Sequence, residues 1–417
     1  MRKNLRPARL IGLIGAAGLV AAFVVPASGS AALGAPAKAK TCTTSPNRAG
    51  ETKKTIRIGN ASDISGPMPG IHTAAQLATK AYAAYFNASG KRICGRTIVV
   101  NTFDSEYDAR GDQAAYSAIC ARDFAAVGSL SDFDNGGATV ARQCHVPDLR
   151  ARSVSAQRNA CPTCFGVEAI TANEWPNGVP DYFVAHDQAA TQKAAMLYLN
   201  LANVRAEAVT QEKVATARGF KYLSFQAFDF TDFTYSPYIQ QLKSKGVQLV
   251  QFLGTYEQQA RFEQALHAAD YHPQVLLDDS AYDPNFIPQA GDGVADGTVV
   301  YTESLPLASS NPELSLYKKW LARVSPGARP TPDGLYAWSA MKLFTTEAVS
   351  LGRKLTRASL VTRLRSVKAW TGGGLHTPMA VGPKQLSGCV RFLQVTNGQW
   401  VSYGGTAYHC AGVTKAS

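Results

Sequence analysis

Three arrangements in this chain have residue types and spacings that could do chemistry: Asp278-Asp279, His267 with His272, and Cys161-Pro162-Thr163-Cys164. Adjacent carboxylates suggest an acid and a base. Neighbours on a strand point to opposite faces, however, so the pair cannot flank one scissile bond, although one of them can still face a cleft. The two histidines are five residues apart, which does not stack them on one helix face as a metal pair requires, and His145 and His409 each abut a cysteine in a loop-like stretch. The Cys-x-x-Cys follows Ser155-Ala156-Gln157 in a loop instead of opening a helix after a strand. No second such motif or nearby His pair completes a zinc site, so a local structural disulfide is expected. Patterns of the GxSxG, HExxH, GxxxxGK[ST] and strand-GxGxxG kinds are missing, so neither an enzyme's nucleophile nor a cofactor or metal is expected.

Any functional residue must therefore be positioned by the larger pattern of elements. From Thr55 the chain alternates short apolar runs with helical periodicity. Strand Thr55–Gly59 is followed by a helix over His72–Ala88, in which Ala75, Leu77, Ala78, Ala81, Ala84 and Tyr85 recur at helical spacing. Strands at 97–102, 125–128 and 146–149 alternate with helices at 112–123 and 137–144. The alternation restarts after Phe165–Thr171, with helices at 179–191, 202–218, 236–245 and 257–270 between strands at 194–199, 222–227, 247–252 and 275–278. Two such blocks predict an α/β fold of two doubly wound parallel-sheet lobes with a cleft between them, not one barrel. Thr298–Thr302 opens a further section with helices at 332–350 and 356–367, the second N-capped by Thr356. Near the end, strands at 390–395 and 399–403 flank Asn397-Gly398, a pair suited to a type I′ hairpin turn.

The 417 residues, 46% hydrophobic and 17% charged, give enough apolar surface for two cores. Residues 1–37 read as a cleaved export signal, followed by a leader over 38–54. Arg2, Lys3, Arg6 and Arg9 precede an apolar run from Leu10 to Val25, and small-residue cleavage contexts follow, placing the mature start between residues 33 and 38. Cys42 follows Lys40-Thr41 and does not fit a lipid-attachment box, and no later stretch is apolar enough for stable membrane insertion. An extracytoplasmic location, in the periplasm or cell envelope, is implied. Losing the signal lowers the formal charge from +12 to about +8. The remaining basic residues are scattered singly along helices such as 240–245 and 353–365, so a solvated cationic exterior is expected and no nucleic-acid partner.

Eight cysteines in an exported chain suggest a disulfide framework. In a parallel α/β layer each helix runs antiparallel to its strand, so Cys94 at the start of the second strand and Cys120 at the end of the next helix are expected to pair. Cys389 with Cys410 would staple the hairpin and Cys161 with Cys164 the local loop, leaving Cys42 with Cys144.

Ile58-Gly59-Asn60 followed by Ser65-Gly66-Pro67 resembles the opening strand and loop of the type I periplasmic-binding-protein fold, in its branched-chain amino-acid ABC-transporter receptor family (Leu/Ile/Val-binding-protein-like). Val127-Gly128-Ser129-Leu130 is similar to that fold's third strand and binding loop, and the run Tyr238 to Val247 resembles the helix-to-strand passage of its second lobe. Pro332–Met341, with Tyr336-Ala337-Trp338, and the helix after Thr356 are similar to the returning helices of the first lobe, so the resemblance covers about residues 55–403.

The resemblance implies a substrate-binding protein with lobes over 55–168 plus 300–380 and 169–299 plus 381–417. Crossovers fall near Val167–Thr171, Thr298–Glu303 and Leu375–Lys384, and the lobes close by hinge motion on a small-molecule ligand for an ABC permease. Carried over, the ligand-binding positions are Ser65, Ser131, Asp132, Arg152 and Ser153 in the first lobe and Asn200, Thr255, Tyr256, Asp279 and Tyr282 in the second. Amino-acid receptors of the family hold the ligand carboxylate with a hydroxyl side chain where Asp132 stands. An ionised aspartate there repels a carboxylate by on the order of 1 kcal/mol, which counts against a branched-chain substrate. Arg152 then either pairs with Asp132 or holds an anionic ligand group, or both are solvated loop residues. A secreted sensor or scaffolding protein that keeps the fold without transport is the second reading.

Overall fold

The structure, a computed structural model, describes residues 49–170 and 173–416. The expected signal, Cys42 and Thr171 at the end of the first expected crossover lie outside the described residues. Strands β1 (Thr55–Ser62) and β2 (Thr97–Asp104) are linked by helix α1 (Thr73–Ala88), whose Ala75, Ala78 and Ala81 let it approach the sheet closely while Tyr82 and Phe86 fill the space beside it. Helix α2 (Ala109–Arg122) starts where the Asp108 carboxylate accepts the N–H groups of Arg110 and Gly111. It is followed by β3 (Ala125–Val127), α3 (Asn135–Gln143), β4 (Asp148–Ser153), α4 (Ala156–Ala160) and β5 (Cys164–Ala169). These five strands form one parallel sheet in the order β2-β1-β3-β4-β5.

The last two strands differ from expectation. The fourth runs over Asp148–Ser153 instead of 146–149, and the fifth occupies residues read as loop and crossover. The reason is electrostatic. Arg158 pairs with Asp112 at 2.7 Å and Asp148 at 3.0 Å, and Tyr116 Oη donates to Asp148 at 2.8 Å, all fully buried. A strand spelled Asp-Leu-Arg-Ala-Arg-Ser is buried on both faces because its charges are paired inside, which hydropathy alone cannot register.

Beyond β6 (Glu174–Pro176), the helix expected over 179–191 is two helices, α5 (Gly178–His186) and α6 (Gln188–Thr191), divided where the Asp187 carboxylate caps α6 by accepting the Ala190 N–H. The second sheet is assembled from β7 (Ala194–Leu199), α7 (Ala202–Ala217), β8 (Tyr222–Phe228), α8 (Ser236–Ser244), β9 (Leu249–Leu253), α9 (Tyr256–Ala268) and β10 (Gln274–Leu277). After a one-turn 3₁₀ segment at Asp279–Tyr282 and α10 (Phe286–Ala290) comes β11 (Val299–Thr302).

The chain then returns to the first sheet. There α11 (Pro312–Val324), α12 (Pro332–Leu351) and α13 (Arg357–Arg365) bury Leu314, Tyr317, Leu335, Trp338, Met341 and Leu360 in the same core as α1. Asn311, Thr331 and Thr356 cap these three helices in turn. A last crossing brings β12 (Cys389–Thr396) antiparallel onto β11 and β13 (Gln399–Tyr403) antiparallel onto β12, giving the order β13-β12-β11-β10-β9-β7-β8. Asn397 and Gly398 both have positive φ, 51° and 69°, as the type I′ turn requires. β14 (His409–Cys410) pairs with β12 and β15 (Val413–Lys415) with β6.

The disulfides Cys161–Cys164 and Cys389–Cys410 form as expected. The other two expected pairs are corrected: Cys120 bonds to Cys144, not to Cys94, so Cys144 is not the partner of Cys42. Cys94 is itself disulfide-bonded. Helix α2 leaves the edge strand β2 and crosses over β1 to reach β3, so its C-terminal end comes to rest beside α3 instead of above the start of β2. Among the described residues, no helix is long and apolar enough to cross a membrane.

Candidate functional site

In parallel sheets the loops leaving the carboxyl ends of the strands converge on one edge, and here the two sheets turn those edges toward a common space. It holds a cavity of about 140 Å³ and an adjoining one of about 90 Å³, which share Arg152, Ile170, Glu207, Asp278 and Asp279 as walls. These volumes suit a small molecule. The first sheet contributes His72 ahead of α1, Asp132 after β3, Arg152 from β4 and Glu168 from β5. The second contributes Thr255 and Tyr256 after β9, Asp278 and Asp279 after β10, and Glu303 after β11.

Of the ten expected ligand residues, Asp132, Arg152, Thr255, Tyr256 and Asp279 come together around this space. The other five do not line it. Ser65 is exposed, with its N–H on Asp104 Oδ1 at 3.2 Å, and Ser131 is buried, accepting from the Phe133 N–H at 3.1 Å. Ser153 is buried at the end of β4, and Asn200 donates to Asp229 at 2.7 Å. Tyr282 is packed in the second core, where its Oη accepts the Leu307 N–H at 2.8 Å.

Arg152 departs most from expectation. It does not pair with Asp132, and its three nitrogens each face a carboxylate: Nε lies 2.5 Å from Glu168, Nη2 2.7 Å from Asp279 and Nη1 3.4 Å from Asp333, with the Tyr336 ring 5.1 Å from the guanidinium carbon. The Arg152–Asp279 bond ties the first sheet to the second. Asp132 lies instead 3.9 Å from His72 Nε2, while His72 Nδ1 bonds Asp63 Oδ2 at 3.1 Å. Burial works against a charged imidazole, but the charge of Asp132 and the hydrogen bond and charge of Asp63 hold His72 up at about 9, so it is cationic at neutral pH.

The carboxyls are pushed the opposite way. Burial raises Glu168 and Glu207 to about 8 and Asp278 to about 6, in Glu168 against the opposing charge of Arg152. Burial, with the nearby charges of Glu168 and Asp279, also raises Glu303. Asp278 and Asp279 do not alternate across a strand as read from the sequence. β10 ends at Leu277, the pair falls at the following turn, and both side chains line the cavity. His72, Glu168, Glu207, Glu303 and Asp333 were not singled out beforehand. Glu168 and Glu303 lie inside segments expected to be crossovers, which was the signal available, because crossovers in a two-lobed fold run beside the cleft.

A family model described as periplasmic binding protein matches residues 55–399. The chain belongs to the periplasmic binding protein family. As a binding protein of this kind it shares the type I fold with the branched-chain amino-acid transporter substrate-binding protein of Streptococcus pneumoniae, solved in complex with isoleucine. That likeness has a TM-score of 0.71 at 14% identity, covering 86% of this chain and 100% of that one. A fatty-acid ABC transporter substrate-binding protein from Thermomonospora curvata aligns with a TM-score of 0.73 at 16% identity, covering 87% and 94%. A solute-binding protein from R. palustris in complex with 4-hydroxybenzoate aligns with a TM-score of 0.69 at 14% identity, covering 87% and 98%. No curated protein matches in sequence.

Proposed function

We propose that this binding protein is the extracytoplasmic receptor of an ABC uptake system. It grips a small polar solute, an amino acid or related compound, between its two lobes and presents it to a permease. One observation carries the reading: the cavity is walled from both sheets at once, with Arg152 of β4 held to Asp279 beyond β10, so ligand and wall contacts from each side favour one closed arrangement. Asp132, Arg152, Thr255, Tyr256 and Asp279 are the proposed site residues, and hinge motion takes place where the chain crosses between the sheets near Ile170, Glu303 and His376. Residues 1–37 are the proposed export signal.

The test is a thermal-shift screen of the mature protein against amino acids, amides, amines and aromatic acids, followed by small-angle scattering on any hit. The reading expects a saturable rise in melting temperature with a smaller radius of gyration. Co-purification with a permease from the native host separates transport from a secreted sensor. If no solute from the screen or from a host metabolite extract binds, the receptor reading falls.

A further inference from the structure

The charges at the cleft do not balance. Glu168, Glu207, Asp278, Asp279, Glu303 and Asp333 face the space, while Arg152, the guanidinium among them, is spent on Glu168, Asp279 and Asp333. At the other end His72 is matched by Asp63 and Asp132. Among the described residues, Glu207, Asp278 and Glu303 therefore have no cation within ion-pair distance. Glu207 accepts an amide hydrogen from Gln211 at 3.0 Å, and Asp278 is held by Ser280 and Gln259. Glu303 stands out among them: it is 5% exposed, it lines the cavity, and its buried Oε2 has no hydrogen-bond partner among the described residues. A buried carboxyl oxygen without a donor is costly, and a site with several of them is stabilised by whatever brings donors and positive charge together.

We infer that the cleft takes an organic cation, a primary amine or guanidinium compound whose charged head seats against Glu207, Asp278 and Glu303. The inference rests on the receptor reading above and names its substrate class. The neighbouring wall fits the rest of such a molecule. Trp175 and Tyr301, their rings edge-to-face 6.1 Å apart, line the same cavity as the carboxyls, and Leu199, Val204 and Leu253 line the adjoining space for an apolar body. A bare metal ion does not fit, since among the described residues no three His, Cys, Asp or Glu side chains are placed to hold one. An anionic solute meets two cationic side chains that are already occupied. A zwitterion is admitted only if a second positive group outweighs its carboxylate.

The experiment is calorimetric titration of the mature protein with putrescine, agmatine and L-arginine, against L-leucine and 4-hydroxybenzoate, at low and high salt. Binding is expected from at least one of the three cations. It should weaken at least about tenfold in Glu303→Gln and in Glu207→Gln, and weaken further at high salt. Should Glu303→Gln fail to fold, the half-buried Glu207 on α7 carries the comparison. Binding of leucine or 4-hydroxybenzoate, or of a cation whose affinity ignores both substitutions, overturns the cation assignment and leaves the receptor reading standing. Failure of every probe and of a host metabolite extract overturns both.

Discussion

Arg152→Gln is the most informative single perturbation. It removes the cation from a nest of three carboxylates at 2.5, 2.7 and 3.4 Å while leaving a shorter, neutral hydrogen-bonding side chain. Deleting one partner of a buried ion pair costs about 3–5 kcal/mol, because the partner left behind keeps its desolvation penalty and loses its compensation. The carboxyls can escape part of that cost by binding protons. Burial already holds Glu168 near 8 against the opposing charge of Arg152, and without that charge Glu168 and Asp279 rise further. A carboxyl raised in the folded state but ordinary in the unfolded chain keeps extra protons when folded, so stability falls as pH climbs from about 4.3 through the folded value. The loss should therefore be near the full 3–5 kcal/mol at pH 8.5 and clearly smaller at pH 6. At about 2 °C per kcal/mol for a large domain, that is a drop of about 6–10 °C at the higher pH. Differential scanning calorimetry across that range reads it directly. Arg152→Lys, which restores charge without the planar fork, should recover part of the loss. A loss under about 1 kcal/mol at pH 8.5, or one that does not shrink toward pH 6, would show that Arg152 does not stabilise these carboxyls in the way derived.

Glu263, buried in α9 with Thr298 as its hydrogen-bond donor, is raised to about 7 by burial, so above that pH its charge destabilises the fold. Glu263→Gln should stabilise by on the order of 3 kcal/mol at pH 8.5 and by little at pH 5, and equal gains at both pH values in urea titrations would rule this out. Asp132→Ala should weaken ligand binding, since its side chain is 28% exposed at the cavity wall. The same variant removes the charge that does most to raise His72, so the imidazole titration followed by NMR should move below about 9; an unmoved midpoint refutes the pairing. Non-reducing peptide mapping should recover Cys120–Cys144, Cys161–Cys164 and Cys389–Cys410, and a Cys94–Cys120 peptide would contradict the helix placement.

Sequence by itself determined the local grammar of this binding protein. Apolar alternation and helical periodicity located the parallel α/β repeats, Thr356 announced its helix start, and Asn397-Gly398 announced the terminal hairpin, because each depends on neighbours a few residues away. It also pointed to strand-end loops, and five of the ten residues it named line the cavity between the sheets. Tertiary structure decided the rest. Arg152 looked like a loop residue free to meet Asp132 or an anion, yet it lies in a strand and bonds a carboxylate 127 residues away. Buried strands rich in charge carry no hydrophobic signal, and which partners neutralise them depends on how two sheets face each other. The Cys120–Cys144 bond is of the same kind, fixed by the strand order that α2 crosses and not by any spacing along the chain. So is the surplus of carboxyls over cations in the cleft: its members come from β5, α7, the turn after β10, the end of β11 and the start of α12, and only folding brings them to one wall.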